Sequence, residues 1–166
     1  MRRPVTILAL SGALLLGPGL VGVAHADAGR ARRPSARELA TEVCEDMVRD
    51  ALAASLGTQL PGVQQGAWAG NVFTCRYPLP GGQFVLRVNQ FASKRRAQQV
   101  FTRLARGAAG STRLNGIGDR AFQAPSGTLE VWKDQFVLDA DPSGVPPPIG
   151  KSDLTFAAVI AVMGCW

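Results

Sequence analysis

Histidine is the scarcest chemistry-bearing residue of this chain. Its one copy, His25, sits at the end of an apolar N-terminal stretch, so nothing from residue 27 onward contains an imidazole. Without histidine a domain cannot build a Ser-His-Asp or Cys-His nucleophile pair, a histidine-ligated zinc site or a histidine general base. Most common hydrolase mechanisms are thereby excluded, and chemistry on paired carboxylates survives. Cysteine is scarce as well: Cys44, Cys75 and Cys165, with no Cys-x-x-Cys spacing that would indicate a redox dithiol. Acidic residues are missing altogether between Asp50 and Asp119, whereas Arg76, Arg87, Lys94, Arg95, Arg96, Arg103, Arg106 and Arg113 lie in that interval.

The first 26 residues read as a secretory signal. Arg2-Arg3 opens it, Val5 to Val23 is apolar, and Ala24-His25-Ala26 gives a small-x-small cleavage site before Asp27. An uncleaved membrane anchor is the rival reading, because the run approaches spanning length, but Gly17-Pro18-Gly19 breaks it. Removing 26 residues from 166 leaves 140, enough for one domain with a real core, and lowers the formal charge from +6 to +4. Residues 27–34 are polar and basic and read as a disordered lead-in, a solvated spacer rather than an arm for an anionic surface. The arginine excess is first a coding bias toward Arg, Ala, Gly, Val and Pro. The basic segment lacks interleaved aromatics and any recognised motif, and with an export signal in place no nucleic-acid partner is expected.

Residues 35–166 read as a single α+β domain. Ser35 and Glu38 have capping-box spacing, and a helix with Leu39, Val43, Met47, Val48 and Leu52 on one side is expected up to Leu56, ended by Gly57. Residues 57–71 read as a loop. A hairpin follows over residues 72–91; with Gly81-Gly82 as its turn, Phe73, Cys75, Tyr77, Phe84, Leu86 and Val88 share one face, and Thr74, Arg76, Arg87 and Asn89 the other. Ser93 caps a second helix over 94–106. The Gly116-Ile117-Gly118-Asp119 stretch is a turn and not a phosphate loop, since it neither follows a strand nor opens a helix. Short strands are expected at 121–123, 128–133 and 136–140, with Asp134-Gln135 as the last turn. Asp141 to Gly150 is proline-rich and excluded from a sheet. Ser152 caps a third helix over 153–163, apolar all round and too short to span a membrane, so buried or covered by a partner. The order α-β-β-α-β-β-β-α, an antiparallel sheet with helices packed on one face, suggests an internal duplication.

Cys75 faces the core side of the hairpin, which the first helix must cover. A Cys44–Cys75 disulfide is therefore the natural pairing, with a bridge to Cys165 as the competitor; Cys165 otherwise reads as a buried inert thiol or an intermolecular link. The expected register sets Arg76 opposite Arg87 and Glu130 opposite Asp139. Like charges so placed repel by roughly 0.7 kcal/mol at about 6 Å in water. Two such pairs of opposite sign read as ion-pair partners on the outer face of one sheet. The sharper alternative is an anion site at Arg76 and Arg87 with a cation or acid-base site at Glu130 and Asp139. Neither a cofactor nor a metal is called for.

The signal, the capped helix with Cys44, the Thr74-Cys75-Arg76-Tyr77 strand, the Phe91-x-Ser93 helix entry and the Gly116-Ile117-Gly118-Asp119-Arg120-Ala121 turn resemble small exported proteins and lipoproteins of unknown function from high-GC Gram-positive bacteria, some of them sensor-domain-like. The chain departs from them in lacking a lipidated cysteine and in having Cys165. The resemblance implies a disulfide-bearing α+β domain with no catalytic residues to carry over. Function is thus expected in the class of an exported, non-enzymatic binding or sensor-like domain, its partner an anionic or apolar envelope component or another protein. A carboxylate-based enzyme acting on cell-wall glycans through Glu130 and Asp139, or a structural envelope protein, are the alternatives.

Overall fold

The computed structural model of the chain describes residues 35–62 and 64–166; the expected signal and basic lead-in lie outside them. Ser35 caps helix α1 (Ala36–Thr41), and the capping box with Glu38 forms in both directions. The apolar stripe does not continue as one helix to Leu56. A 3₁₀ turn (Glu42–Cys44) and an extended Glu45 interrupt it before α2 (Asp46–Leu56), which ends at Gly57 in the left-handed conformation (φ 63°). The break leaves the Val43 carbonyl without a helical partner, and the buried Tyr77 hydroxyl donates to it. The same break turns Cys44 toward the sheet, where it is disulfide-bonded to Cys75 with a Cα–Cα distance of 5.5 Å.

Seven antiparallel strands follow: β1 (Gln64–Ala69), β2 (Val72–Leu79), β3 (Gly82–Gln90), β4 (Thr112–Leu114), β5 (Arg120–Gln123), β6 (Leu129–Lys133) and β7 (Phe136–Asp141). Helix α3 (Lys94–Gly107) divides the first three from the last four, and α4 (Lys151–Met163) ends the domain. The sheet order is β1-β2-β3-β7-β6-β5-β4: two meanders joined edge to edge where β3 meets β7. The α+β class and the order of elements are as expected, with two strands added. β1 lies in the stretch read as a loop, and β4 precedes the glycine turn.

The hairpin faces are as expected, but the register is not. The turn is Pro80-Gly81, with Leu79 opposite Gly82, Tyr77 opposite Phe84 and Cys75 opposite Leu86. Proline with a following glycine at φ 79° is the pairing a type II turn selects. The two-residue slide conserves parity, so the core face survives. It separates the two arginines, however: Arg76 stands opposite Val85 and Arg87 opposite Thr74.

Helices on one face is true of α1, α2 and α4 only. They cover Cys75, Tyr77, Phe84, Leu86, Leu129, Val131 and Leu138. Helix α3 lies on the other face, where Ala97 and Phe101 pack on Phe122, Trp132 and Val137. Neighbouring residues of β5, β6 and β7 therefore point into two separate cores. The helices thus break the symmetry that the paired meanders suggest. Ser152 is not the cap of α4; that helix starts at Lys151 after Gly150, and the buried Thr155 hydroxyl lies 2.9 Å from the Ser152 carbonyl. Leu154, Ala158, Val159 and Val162 are buried, while Phe156 and Ile160 are exposed. Cys165, expected to be buried, is exposed and free.

Tyr77 offers a direct test of the junction. Tyr77→Phe keeps the ring and leaves the Val43 carbonyl buried without its donor, which costs roughly 1–3 kcal/mol. Urea denaturation should show the midpoint lowered and the slope unchanged; equal stability would mean that the break in the helix does not depend on this bond.

Candidate functional site

The face that carries α3, which packs there on Phe122, Trp132 and Val137, also holds nearly all of the sheet's charge. Reading across the strands at one level, Thr74, Arg87, Asp139, Glu130, Phe122 and Arg113 form a continuous row. Glu130 and Asp139 are direct cross-strand partners, as the Asp134-Gln135 turn requires. Two residues further along, Arg76, Val85 and Asp141 form the next row.

Arg87 and the acids come together. Its Nη1 donates to Asp139 Oδ2 and Asp141 Oδ2, both at 3.0 Å. Asp141 also accepts from the Ser143 backbone N–H at 2.8 Å. Burial raises the Asp141 pKa, but the bonds from Ser143 and Arg87 outweigh it and hold that carboxyl below its ordinary value. Asp139 is held above its ordinary value by burial, against the pull of Arg87. Arg76 is exposed and has no acidic partner among the described residues. With Arg87 committed to two carboxylates and Arg76 displaced by the register, the two arginines do not face each other. Asp141, read as the start of the proline-rich loop, belongs to this cluster. Alternation along Val137, Asp139 and Asp141 was its available signal.

Glu130 differs from the other acids. Burial, followed by repulsion from Asp139, pushes its pKa up to about 8, although Arg87 opposes the shift. Its Oε2 and Asp139 Oδ1 are buried with no hydrogen-bond partner among the described residues. The reason is position: Glu130 lies beside Phe122, under the C-terminal half of α3. There a cavity of about 530 Å³ opens between helix and sheet, walled by Val100, Leu104, Ala108, Phe122 and Ala124, with Thr128 and Glu130 on the sheet side and Arg103 on the helix side. Asp139 does not line it. This cavity escapes a reading of the sequence because it exists only where α3 crosses the second face.

The basic first turn of α3 is also resolved. Lys94 lies 2.9 Å from Asp119 and 3.3 Å from Asp134, and 5.5 Å from the centre of the Trp132 ring. Those acids place negative charge at the helix N-terminus, where its dipole favours it. The Gly118-Asp119 turn is thus a bracket: Asp119 Oδ2 also accepts from the Asp134 backbone N–H at 3.0 Å. Among the described residues no group of side chains has the makeup of a metal site, and no helix is long and apolar enough to cross a membrane. No family model, curated protein or solved structure matches this chain.

Proposed function

We propose that the chain is an exported, non-enzymatic binding domain of the cell envelope that takes its ligand in the cleft between α3 and the sheet. The observation that carries this reading is the cavity itself, about 530 Å³, apolar on most sides and with a single buried carboxyl at Glu130. Ligand sites have this volume and this composition, a mostly apolar wall with a few polar groups that fix orientation. Export is supported by the Cys44–Cys75 disulfide and by the order of basic start, apolar run and Ala-x-Ala at the N-terminus.

One observation favours the glycan-acting enzyme as a second reading: a carboxyl with a pKa of about 8 is what a general acid on a glycosidic oxygen requires. The second carboxylate is the weakness of that reading. Asp139 is bound to Arg87 and lies outside the cavity, so among the described residues no second carboxylate faces Glu130 across a substrate.

Gly107 supplies the test. It lines the cavity, and a Cβ there meets nothing within 4 Å, so a Gly107→Trp side chain starts in open space at the cleft. Small apolar and amphiphilic fragments should perturb NMR signals of Phe122, Thr128 and Glu130 in the wild type and not in Gly107→Trp. Perturbations that map elsewhere and persist in the variant would defeat the cleft assignment. Release of reducing ends from cell-wall glycan, lost in Glu130→Gln, would replace binding by catalysis.

A further inference from the structure

We propose that the ligand of this cleft is an amphiphilic cation, its ammonium group seated on the Glu130 carboxylate and its apolar body against Phe122, Val100 and Leu104. The inference rests on the cleft reading above and adds the chemistry of the ligand. Glu130 lines the cavity and its Oε2 has no hydrogen-bond donor among the described residues, so an ammonium seated on the carboxylate brings the donors this group lacks. The charge around it points the same way. Facing Glu130 from β7 are Asp139 and, one level along, Asp141; from β3 comes Arg87, which both aspartates already share. Two carboxylates against one guanidinium leave the sheet on the β7 side of Glu130 net negative even with Glu130 uncharged; on the β5 side Arg120 lies one level along from Phe122 and Arg113 beyond it, both exposed and screened. Arg103 is the charged residue of α3 on the cavity, and it is solvent-exposed, so its repulsion toward a cation at the floor is screened. An anionic head at the Glu130 end would be repelled by the charges of Asp139 and Asp141 behind it, while Arg103, the cation on the cavity, stands across on the helix side; a neutral alcohol would gain no charge pairing.

Binding is then coupled to a proton. The empty site holds Glu130 mostly protonated at neutral pH. Seating the ammonium ionises it, and the proton leaves to the buffer. Affinity therefore rises with pH up to the titration of Glu130, by roughly tenfold per unit below it. n-Octylammonium is a suitable probe because an alkylamine, like lysine, keeps its charge between pH 6 and pH 8.5.

Calorimetry on the full chain with n-octylammonium, octanoate and octanol decides the matter. The expected result is n-octylammonium as the tightest of the three, binding roughly 30- to 100-fold more tightly at pH 8.5 than at pH 6, with a heat that varies with the ionisation enthalpy of the buffer. In Glu130→Gln the pH dependence and the proton release disappear, and the affinity at pH 8.5 falls to the wild-type value at pH 6. Octanoate or octanol binding as tightly as n-octylammonium, or a cation affinity flat with pH in the wild type, overturns the ligand class while leaving the cleft a binding site. Silence from all three probes overturns both. The wild-type pH series stands on its own should the variant fold poorly.

Discussion

A Cys44→Ala chain should unfold roughly 10–20 °C below the wild type, a loss of about 3–4 kcal/mol. The disulfide spans 31 residues of sequence, and opening it returns to the unfolded chain the freedom that closing such a loop removes. The native state also loses a fixed point, because the bridge ties the interrupted helix to the middle of β2, where Cys75 is fully buried. Substitution at Cys44 is the cleaner choice, since this partly buried position tolerates alanine, whereas a change at Cys75 opens a hole in the core. Reducing the wild type should lower its midpoint by a similar amount and leave Cys44→Ala unmoved. A drop of less than about 1 kcal/mol would mean that the Tyr77 bond, the Trp166 indole N–H donated to the Leu39 carbonyl of α1 at 3.0 Å and the apolar contacts of α1 hold the junction by themselves.

The stability of the wild type should fall as pH rises from about 4.5 to about 8, and Glu130→Gln should abolish most of that fall. A carboxyl whose folded pKa lies above its unfolded one binds more protons in the folded state across that window. Folding then becomes less favourable with each unit of pH until the folded pKa is passed. For Glu130 the span from 4.5 to about 8 corresponds to roughly 3–5 kcal/mol. Asp139, also raised by burial, acts in the same sense. Asp141 and Asp119, held low, act oppositely: they stabilise above their unfolded pKa, and that stabilisation is lost as pH falls through their lower folded values. Maximum stability should consequently lie near pH 4–5 and not at neutrality. Urea titrations at pH 5 and pH 8 check this, with Glu130→Gln more stable than the wild type at the higher pH. A variant that is weaker at pH 8 would show that the carboxylate has a native partner.

The elements were more legible in the sequence than their relations. Alternation in the hairpin put the residues it assigned on their proper faces, Phe73, Cys75, Tyr77, Phe84, Leu86 and Val88 on one and Thr74, Arg76, Arg87 and Asn89 on the other, because a slide of two residues leaves parity intact. Register depended on which dipeptide turns, and Pro80-Gly81 prevailed over Gly81-Gly82 through the φ that proline presets. β1 was hidden by Gly66, which looks like a breaker. It is glycine because Cys44 Sγ would lie 2.6 Å from its Cβ, with the Phe73 ring closing the same space. The apolar stripe of α3 was plain, but its side of the sheet was not. The signal lay in the strands: Ala121-Phe122, Val131-Trp132 and Val137-Leu138 are apolar on consecutive residues, as strands covered on both faces must be. Glu130 and Asp139 were paired correctly. The cavity beside Glu130 depends on where a helix lands, and no local pattern encodes that.

The seam between β3 and β7 governs how the chain reaches this state. Each meander is made of neighbours in sequence and can form early, but the contact that unites them joins residues about fifty positions apart, such as Arg87 and Asp139. Until it closes, β3 and β7 are unsatisfied edges, rich in Val, Leu and Phe, in a partly folded chain. The finished sheet turns those edges inward. It leaves β1, irregular between Gln64 and Ala67, and the three-residue β4 at its margins, both poor templates for a neighbouring chain. The hazard of edge-to-edge association therefore belongs to the folding chain and ends with the docking of the two halves.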